Sequence, residues 1–297
     1  MNPADLLQSK VINGWNLFWL ITLPISISIV YSMIGIELSS GRAVSSMIEL
    51  SVRCAVPLLF VAFAASSINV LFPGTFGRWI LRNRKFIGLS FAAAMAWQLF
   101  FILWMTTQYT EYYVEKVYAL SDVIEGVGGY LLLIAMVLTS FKFGRKHLSA
   151  RQWKFLHKGG IYWLWIYAWI AYWWHLFYYN NPIALDYIYY WAGFLAWGLR
   201  MAAWTKKRWP QASGPLMTGG TSQSFYFLPG VAAVATGLVG VSFGSPWGRQ
   251  VYEFGYNVPV LKTIGIYTPF FPFVPFFPIF LMMLGACLIL KSRDQPG

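Results

Sequence analysis

The sequence predicts an all-α protein that crosses a membrane several times, and its composition carries that prediction. Of its 297 residues, 58% are hydrophobic and 20% are aromatic, whereas only 11% are charged. Soluble domains carry about 25% charged residues, so this chain does not have the composition of an ordinary soluble domain. Several apolar runs also reach the roughly 20 residues that a helix needs to cross a bilayer core about 30 Å thick.

Eight apolar segments are predicted to be membrane-spanning helices. They are Trp15–Ile36, Val44–Phe72, Phe86–Met105, Val123–Phe141, Ile161–Phe177, Leu185–Trp204, Phe225–Phe243 and Ile264–Leu290. The first segment is longer than a signal-peptide core and lacks a clear small-residue cleavage site, so it is interpreted as a retained span. Pro24 and Pro57 are expected to kink the first two helices, since each removes a backbone hydrogen bond.

Positive charge is concentrated in every second loop. The basic clusters lie within 78–85, 142–158 and 206–208, whereas the intervening loops carry most of the acidic residues. This alternation is the positive-inside pattern, which predicts eight spans with both termini in the cytoplasm. We therefore expect a multi-pass protein of a cell membrane, taken to be the bacterial inner membrane. The net charge of +12 follows from this topology, so no nucleic-acid partner is expected.

Three regions are predicted along the chain. Residues 1–208 form a block of six spans with short loops, residues 209–224 form a Pro/Gly/Ser-rich linker, and residues 225–297 form a C-terminal membrane extension.

The last predicted span is unusual because four prolines recur in it at every third residue. They are Pro269, Pro272, Pro275 and Pro278. An interior proline costs a helix about 3 kcal/mol, so this stretch is not expected to form a regular helix. Only Phe276–Leu290 is expected to be helical here, with a length of about 22 Å.

The connection between the fourth and fifth spans contains residues that resemble those of a known family. Thr139-Ser140, Arg145-Lys146, Trp153, Leu156-His157 and Tyr162 stand in the family's order at near-correct spacing, as do Leu23-Pro24 and the basic-to-Gly-Leu stretch Asn83–Leu89. On these residues, the first two-thirds of the chain resembles the ferric reductase-like transmembrane family. The resemblance is strongest to the branch that supplies the heme-binding membrane subunit of periplasmic methionine sulfoxide reductase.

The resemblance implies a six-helix bundle that passes electrons from a cytoplasmic or quinone donor to an outer-face acceptor through b-type heme. It also implies three histidine ligands on facing helices. Carried over by position, the first falls on Gln98 and the second on His157. The third falls on Ile170, or on Ala171 if the extra glycine after Lys158 is an insertion, and neither side chain binds iron.

The remaining histidines do not complete a transmembrane heme site. The chain has only His147, His157 and His175. His157 and His175 share a helix face but lie about 27 Å apart along the axis, too far to bind opposite sides of one heme. A single heme on His157 or His175, or one with an unusual axial group such as Met95, stays open but is disfavoured. Cys54 and Cys287 lie in predicted spans without a zinc or CxxC pattern, so no other metal site is expected.

Each candidate also has a structural interpretation. His157 is favoured as an interfacial histidine at a helix start, and His175 as part of an aromatic belt. The stripe Trp165, Trp169 and Trp173 is favoured as helix-packing surface. Glu49 and Arg53, four residues apart, can form an ion pair that is either structural or functional.

Three functions are compatible with these patterns. The first is a membrane electron-transfer subunit with at most one atypical b-type heme; it would need an outside redox partner, because the chain shows no flavin, nicotinamide or iron–sulfur motif. The second is a heme-free relative that acts as a membrane scaffold or partner subunit. The third is a binder or carrier of a hydrophobic small molecule. Whether the chain is an enzyme stays open at this point.

Overall fold

A computed structural model describes residues 3–36, 38–177, 181–209, 221–267 and 275–292. Over these residues the backbone is almost entirely helical and has no strand, which confirms the all-α class. The helices used below are α1 (Pro3–Gln8), α2 (Trp15–Ile36), α3 (Gly41–Leu71), α4 (Thr75–Gln108), α5 (Leu120–Leu138), α6 (Ala150–Phe177), α7 (Ala184–Arg208), α8 (Thr221–Ser242), α9 (Gly244–Asn257), α10 (Pro259–Tyr267) and α11 (Phe276–Lys291).

Five of the described helices are long and apolar enough to cross a membrane: α2, α3, α4, α5 and the Phe225–Ser242 part of α8. The protein is therefore a multi-pass, all-α membrane protein. Helix α2 has the bounds predicted for the first span, whereas α4 begins at Thr75, well before the predicted Phe86. Helices α6 and α7 cover the fifth and sixth predicted spans, and the count of eight spans stays a prediction.

The helices of the C-terminal extension agree in part with those expected from its prolines. The helix expected over Phe276–Leu290 is present as α11, with Pro275 at its N-cap and Pro278 in its first turn. The first turn tolerates proline because its N–H groups have no acceptor within the helix. Two expectations need correction: Ile264–Tyr267 is also helical, as the end of α10, and the amphipathic helix α9 was not predicted. Pro269 and Pro272 lie outside the described residues, as do residues 210–220 of the predicted linker.

The chain divides into two compact units. One contains Met1–Trp169 with Trp191–Trp197, and the other contains Ile170–Tyr190 with Gly198–Gly297. The predicted boundary at residue 208 stays a prediction.

Three residues of α4 at seven-residue spacing, Asn83, Ser90 and Trp97, hydrogen-bond to α2 or to the residue just before it in the first unit. Asn83 Oδ1 accepts the Gly14 N–H at 2.9 Å, Ser90 Oγ accepts from Thr22 at 3.2 Å, and Trp97 Nε1 donates to Ser26 at 3.0 Å. Residues seven apart lie on one helix face, so the three bonds form one seam. Hydrogen bonds of this kind hold helices together in a bilayer, where burial of apolar surface gives little attraction between helices.

Elsewhere in this unit the helices pack through apolar side chains. Ile29 of α2, Val44 and Met47 of α3, and Phe101 of α4 are completely buried in one cluster. On α6, the Trp165 ring stacks between Phe63 at 5.2 Å and Trp169 at 5.5 Å.

All three tryptophans of the predicted stripe (Trp165, Trp169 and Trp173) are buried, with at most 2% of their surface exposed. Their interpretation as packing surface is confirmed.

Candidate functional site

The position that the resemblance assigns to a heme-ligating histidine lies on α4 and faces α5. Here the Tyr130 hydroxyl approaches Gln98 Oε1 at 2.7 Å and the Met95 carbonyl oxygen at 3.2 Å. The Gln98 contact is the shorter one, so the hydroxyl proton points mainly to the amide oxygen. This is a hydrogen bond between the side chains of two helices, which a glutamine in a membrane span can form. Its partner Tyr130 was not predicted, although a tyrosine in the middle of an apolar span is a visible signal.

Beside this pair lies an apolar groove between α2, α4 and α5, which we call the Tyr130 groove. Its volume is about 360 Å³. Three small residues of α4, Ala92, Ala93 and Ala96, form part of its wall and leave room between the helices. The hydroxyl of Tyr130 is directed to Gln98, so the groove offers almost no polar group to a ligand.

A second apolar groove continues from the first on the other half of α2. It has a volume of about 790 Å³ and is lined by Met33 of α2, by Leu38 just after that helix, and by Trp97 and Phe100 of α4, among others. We call it the Trp97 groove. The two grooves share Ala93 and Ala96, which lie near the middle of the predicted span Phe86–Met105. Together they form an apolar path along α4.

One end of the Tyr130 groove is formed by aromatic rings and carries a cation. Trp15, Phe18 and Phe141 line this end, and Phe86 packs edge-on against Trp15 at 5.5 Å. The Lys85 ammonium lies 4.7 Å from the Phe141 ring centre and 6.0 Å from that of Phe86. These distances are within the usual range of cation–π contacts. Arg82, Arg84 and Lys85 of α4 lie here, and we call this end of the bundle the basic end.

His157 also lies at the basic end, but not at a helix start as predicted. Helix α6 begins two turns earlier, where Ser149 and Gln152 cap it reciprocally: Ser149 N–H donates to Gln152 Oε1 at 2.9 Å, and Gln152 N–H donates to Ser149 Oγ at 3.2 Å. This is a capping box. The His157 ring packs against the Trp153 ring at a tilt of 32°, with ring centres 4.3 Å apart, and Trp153 Nε1 donates to the Thr139 carbonyl oxygen.

The Nε2 atom of His157 is already engaged. It lies 3.0 Å from the Thr139 hydroxyl oxygen, and that hydroxyl lies 2.7 Å from the Ala135 carbonyl oxygen. A carbonyl can only accept, so the Thr139 proton goes to Ala135 and His157 Nε2–H is the donor to Thr139.

The charge state of His157 follows from its surroundings. Burial, together with the nearby Arg84 and Arg145 guanidinium groups, lowers the pKa of His157 to about 4. The side chain is therefore neutral at physiological pH.

These residues do not fit a bis-histidine heme. The imidazole nitrogen that usually binds iron, Nε2 of His157, donates to Thr139, and the amide at position 98 accepts from Tyr130. Over the described residues, no group of three or more His, Cys, Asp or Glu side chains is arranged to hold a metal ion.

The remaining predicted site residues lie elsewhere. In the second unit, His175 Nδ1 is 3.8 Å from the buried Asp186 carboxylate, which accepts the Ile183 N–H at 3.0 Å and so caps α7. In the first unit, Glu49 and Arg53 form an ion pair along α3. Both side chains of that pair are partly exposed, at 51% and 31%.

The chain was compared with models of protein families, with curated proteins and with solved structures, and none of the three comparisons gave a match.

Proposed function

We propose that this protein is a heme-free membrane protein with a ferric reductase-like bundle, and that it binds an elongated hydrophobic molecule in the Tyr130 groove. The observation that carries this proposal is the groove itself, an apolar space of about 360 Å³ between α2, α4 and α5. Ligand sites in proteins are concave and mostly apolar, with few polar groups. The groove has these properties and lies beside the position where the resemblance implies a heme ligand.

The chemistry around Gln98 and His157 favours a binder over an electron carrier. A bis-histidine heme relay, as the resemblance implies, needs an imidazole nitrogen on each side of the porphyrin. Here the Gln98 amide oxygen is hydrogen-bonded to the Tyr130 hydroxyl, and the His157 Nε2 nitrogen is hydrogen-bonded to the Thr139 hydroxyl. Ile170 is buried and aliphatic, so the third position of the resemblance supplies no ligand.

The topology that accompanies this proposal has eight spans. Six helices, from α2 to α7, form the ferric reductase-like bundle, and α8 and α11 form two further crossings. The basic loops then face the cytoplasm by the positive-inside rule, which places the basic end of the Tyr130 groove on that side.

The heme-free part of the proposal is tested by absorbance. The full chain is purified in mild detergent from cells supplied with heme, and its spectrum is recorded before and after reduction by dithionite, with a pyridine hemochrome count per chain. We expect a featureless visible spectrum. A Soret band with about one heme per chain would overturn this part, and loss of that band in His157→Ala would restore the electron-transfer function.

The binding part is tested by mass spectrometry of the hydrophobic molecules that co-purify with the chain. Ala96→Trp places an indole in the groove at an exposed position of α4, so we expect it to lose the bound molecule. Ala232→Trp is the matched control, because Ala232 is an exposed alanine of α8 outside both grooves. Equal retention by both variants would show that the groove is not the binding site.

A further inference from the structure

We infer that the molecule bound in the Tyr130 groove is an anionic phospholipid of the bilayer, with one acyl chain in the groove and its phosphate on Lys85. This inference rests on the proposed function and specifies the ligand of the same groove.

The length of the groove matches one leaflet. On α4 its lining runs from Leu89 to Leu99, ten residues apart, or about 15 Å along the helix. Half of a bilayer core is also about 15 Å thick. The lining on α5, from Tyr130 to Leu138, covers about 12 Å of the same depth. An acyl chain that enters at the basic end would therefore reach Ala93 and Ala96, where the Trp97 groove begins.

The groove is open to the side as well as at its end. Trp15 of α2, Ala96 of α4 and Ile134 of α5 all line it and are all exposed. A lipid can therefore enter from the bilayer without passing through water. This access favours a membrane lipid over a water-soluble ligand of the same shape.

The charge at the mouth selects the headgroup. Lys85 is exposed, and its ammonium contacts the Phe141 ring that lines the groove. Within the described residues, no carboxylate lies within salt-bridge distance of it. The neighbouring Arg82, by contrast, hydrogen-bonds to Asn13 and to the Leu7 carbonyl oxygen. Lys85 is thus a cation that a phosphate can reach from the groove.

A neutral hydrophobic molecule would not need this lysine. Cations close to the membrane surface attract anionic lipids by about 1 kcal/mol each, and basic pockets between transmembrane helices on the cytoplasmic side bind such headgroups. A zwitterionic lipid with the same acyl chains carries no net charge and gains little from Lys85. The chain is therefore expected to prefer the anionic lipid.

The test is a titration followed by native mass spectrometry. The full chain in detergent is delipidated and titrated with dioleoylphosphatidylglycerol or with dioleoylphosphatidylcholine, which differ in headgroup charge but share acyl chains. We expect tighter binding of phosphatidylglycerol by the wild type. Lys85→Gln is expected to weaken that binding about fivefold, the factor that corresponds to the attraction of one such cation. Lys85→Gln should leave phosphatidylcholine binding unchanged, and Lys85→Arg should retain the preference.

Lys146→Gln is the matched control, because Lys146 is an exposed lysine on the loop after α5. If it weakens phosphatidylglycerol binding as much as Lys85→Gln does, general surface charge explains the preference and the inference fails. The inference also fails if the wild type binds both lipids equally while Ala96→Trp displaces both; the proposed function then survives. If Ala96→Trp displaces neither lipid, the proposed function fails as well.

Discussion

The Tyr130 hydroxyl donates a hydrogen bond to Gln98 Oε1 at 2.7 Å, across the interface between α4 and α5. The resemblance places a heme-ligating histidine at position 98, so a cross-helix bond stands where that family has a metal bond. An amide and a phenol can hold two helices together without a cofactor. We therefore interpret this pair as a structural element of the bundle.

The coupling between Tyr130 and Gln98 can be measured with a double-mutant cycle of Tyr130→Phe and Gln98→Leu. Side-chain hydrogen bonds between membrane helices contribute about 0.6 kcal/mol on average, with a maximum of about 1.7 kcal/mol. We expect a coupling in that range in the free energy of unfolding, measured in mixed detergent micelles. Tyr31→Phe is the control because Tyr31 is 77% exposed on α2. Strict additivity of the two substitutions would show that the pair contributes nothing.

Asn83 is expected to be the most sensitive polar residue of the α2–α4 seam. It is completely buried, accepts the Gly14 N–H, and donates to Asn13 Oδ1 at 2.8 Å. Asn83→Leu leaves the partly buried Gly14 N–H without its acceptor, which costs about 1–3 kcal/mol. Asn13 Oδ1 loses one donor but keeps its hydrogen bond from Arg82. We expect a loss of unfolding free energy in that range, together with faster proteolysis of residues 3–14.

Asn16→Ala is the control for Asn83→Leu. Asn16 is exposed and makes one hydrogen bond, to the Lys10 carbonyl oxygen, so water can replace its partner. We expect a change below about 0.5 kcal/mol, as for most surface substitutions. Equal effects of the two substitutions would contradict a special role of Asn83.

Gly285 of α11 allows an unusually close approach to α8. A Cβ atom at Gly285 would lie 2.6 Å from the Gly230 carbonyl oxygen, closer than real Cβ contacts. Gly285→Ala must therefore separate the two helices, and overpacking of this kind costs about 1–3 kcal/mol. We expect Gly285→Ala to lower the midpoint of thermal unfolding.

Gly88→Ala provides the opposite case. Gly88 lies inside α4, and a Cβ atom there would meet nothing within 4 Å. Alanine is a better helix former than glycine by about 0.8–1 kcal/mol, so this substitution is expected to stabilise the chain or leave it unchanged. Destabilisation by Gly88→Ala, or none by Gly285→Ala, would contradict the packing argument.

Much of the fold was predictable because membrane crossing depends on local composition. The bounds of α2 and the helical part of the proline-rich span follow from hydropathy and proline geometry alone. Helix α9 was missed because its residues are amphipathic over only 14 positions, which gives no spanning signal. The start of α6 could have been predicted from the sequence, since Ser149 and Gln152 have the spacing of a capping box.

The candidate site was less predictable because it depends on pairs of helices. Gln98 could be singled out by its position, but its partner on α5 could not, since many helix rotations are compatible with the sequence. The Tyr130 groove exists because Ala92, Ala93 and Ala96 face a gap, and alanines in an apolar run give no sign of which side they face. Lys85 was assigned to a basic loop in the sequence, and its position beside the groove follows only from its contact with Phe141.

The low pKa of His157 predicts how stability depends on pH. Its pKa is about 4 in the folded chain, whereas the ordinary pKa of a histidine side chain is 6.5, so between these pH values the unfolded state binds the proton and the folded state does not. Stability contributed by neutral His157 is therefore complete above about pH 6.5 and is lost as the pH falls towards 4. His157→Gln can still donate to Thr139 but does not titrate, so its unfolding midpoint should fall less than that of the wild type over this interval. His147→Gln, at an exposed position of the preceding loop, controls for the loss of a histidine. Parallel curves for the wild type and His157→Gln would show that partial burial and the charges of Arg84 and Arg145 do not lower the pKa of His157.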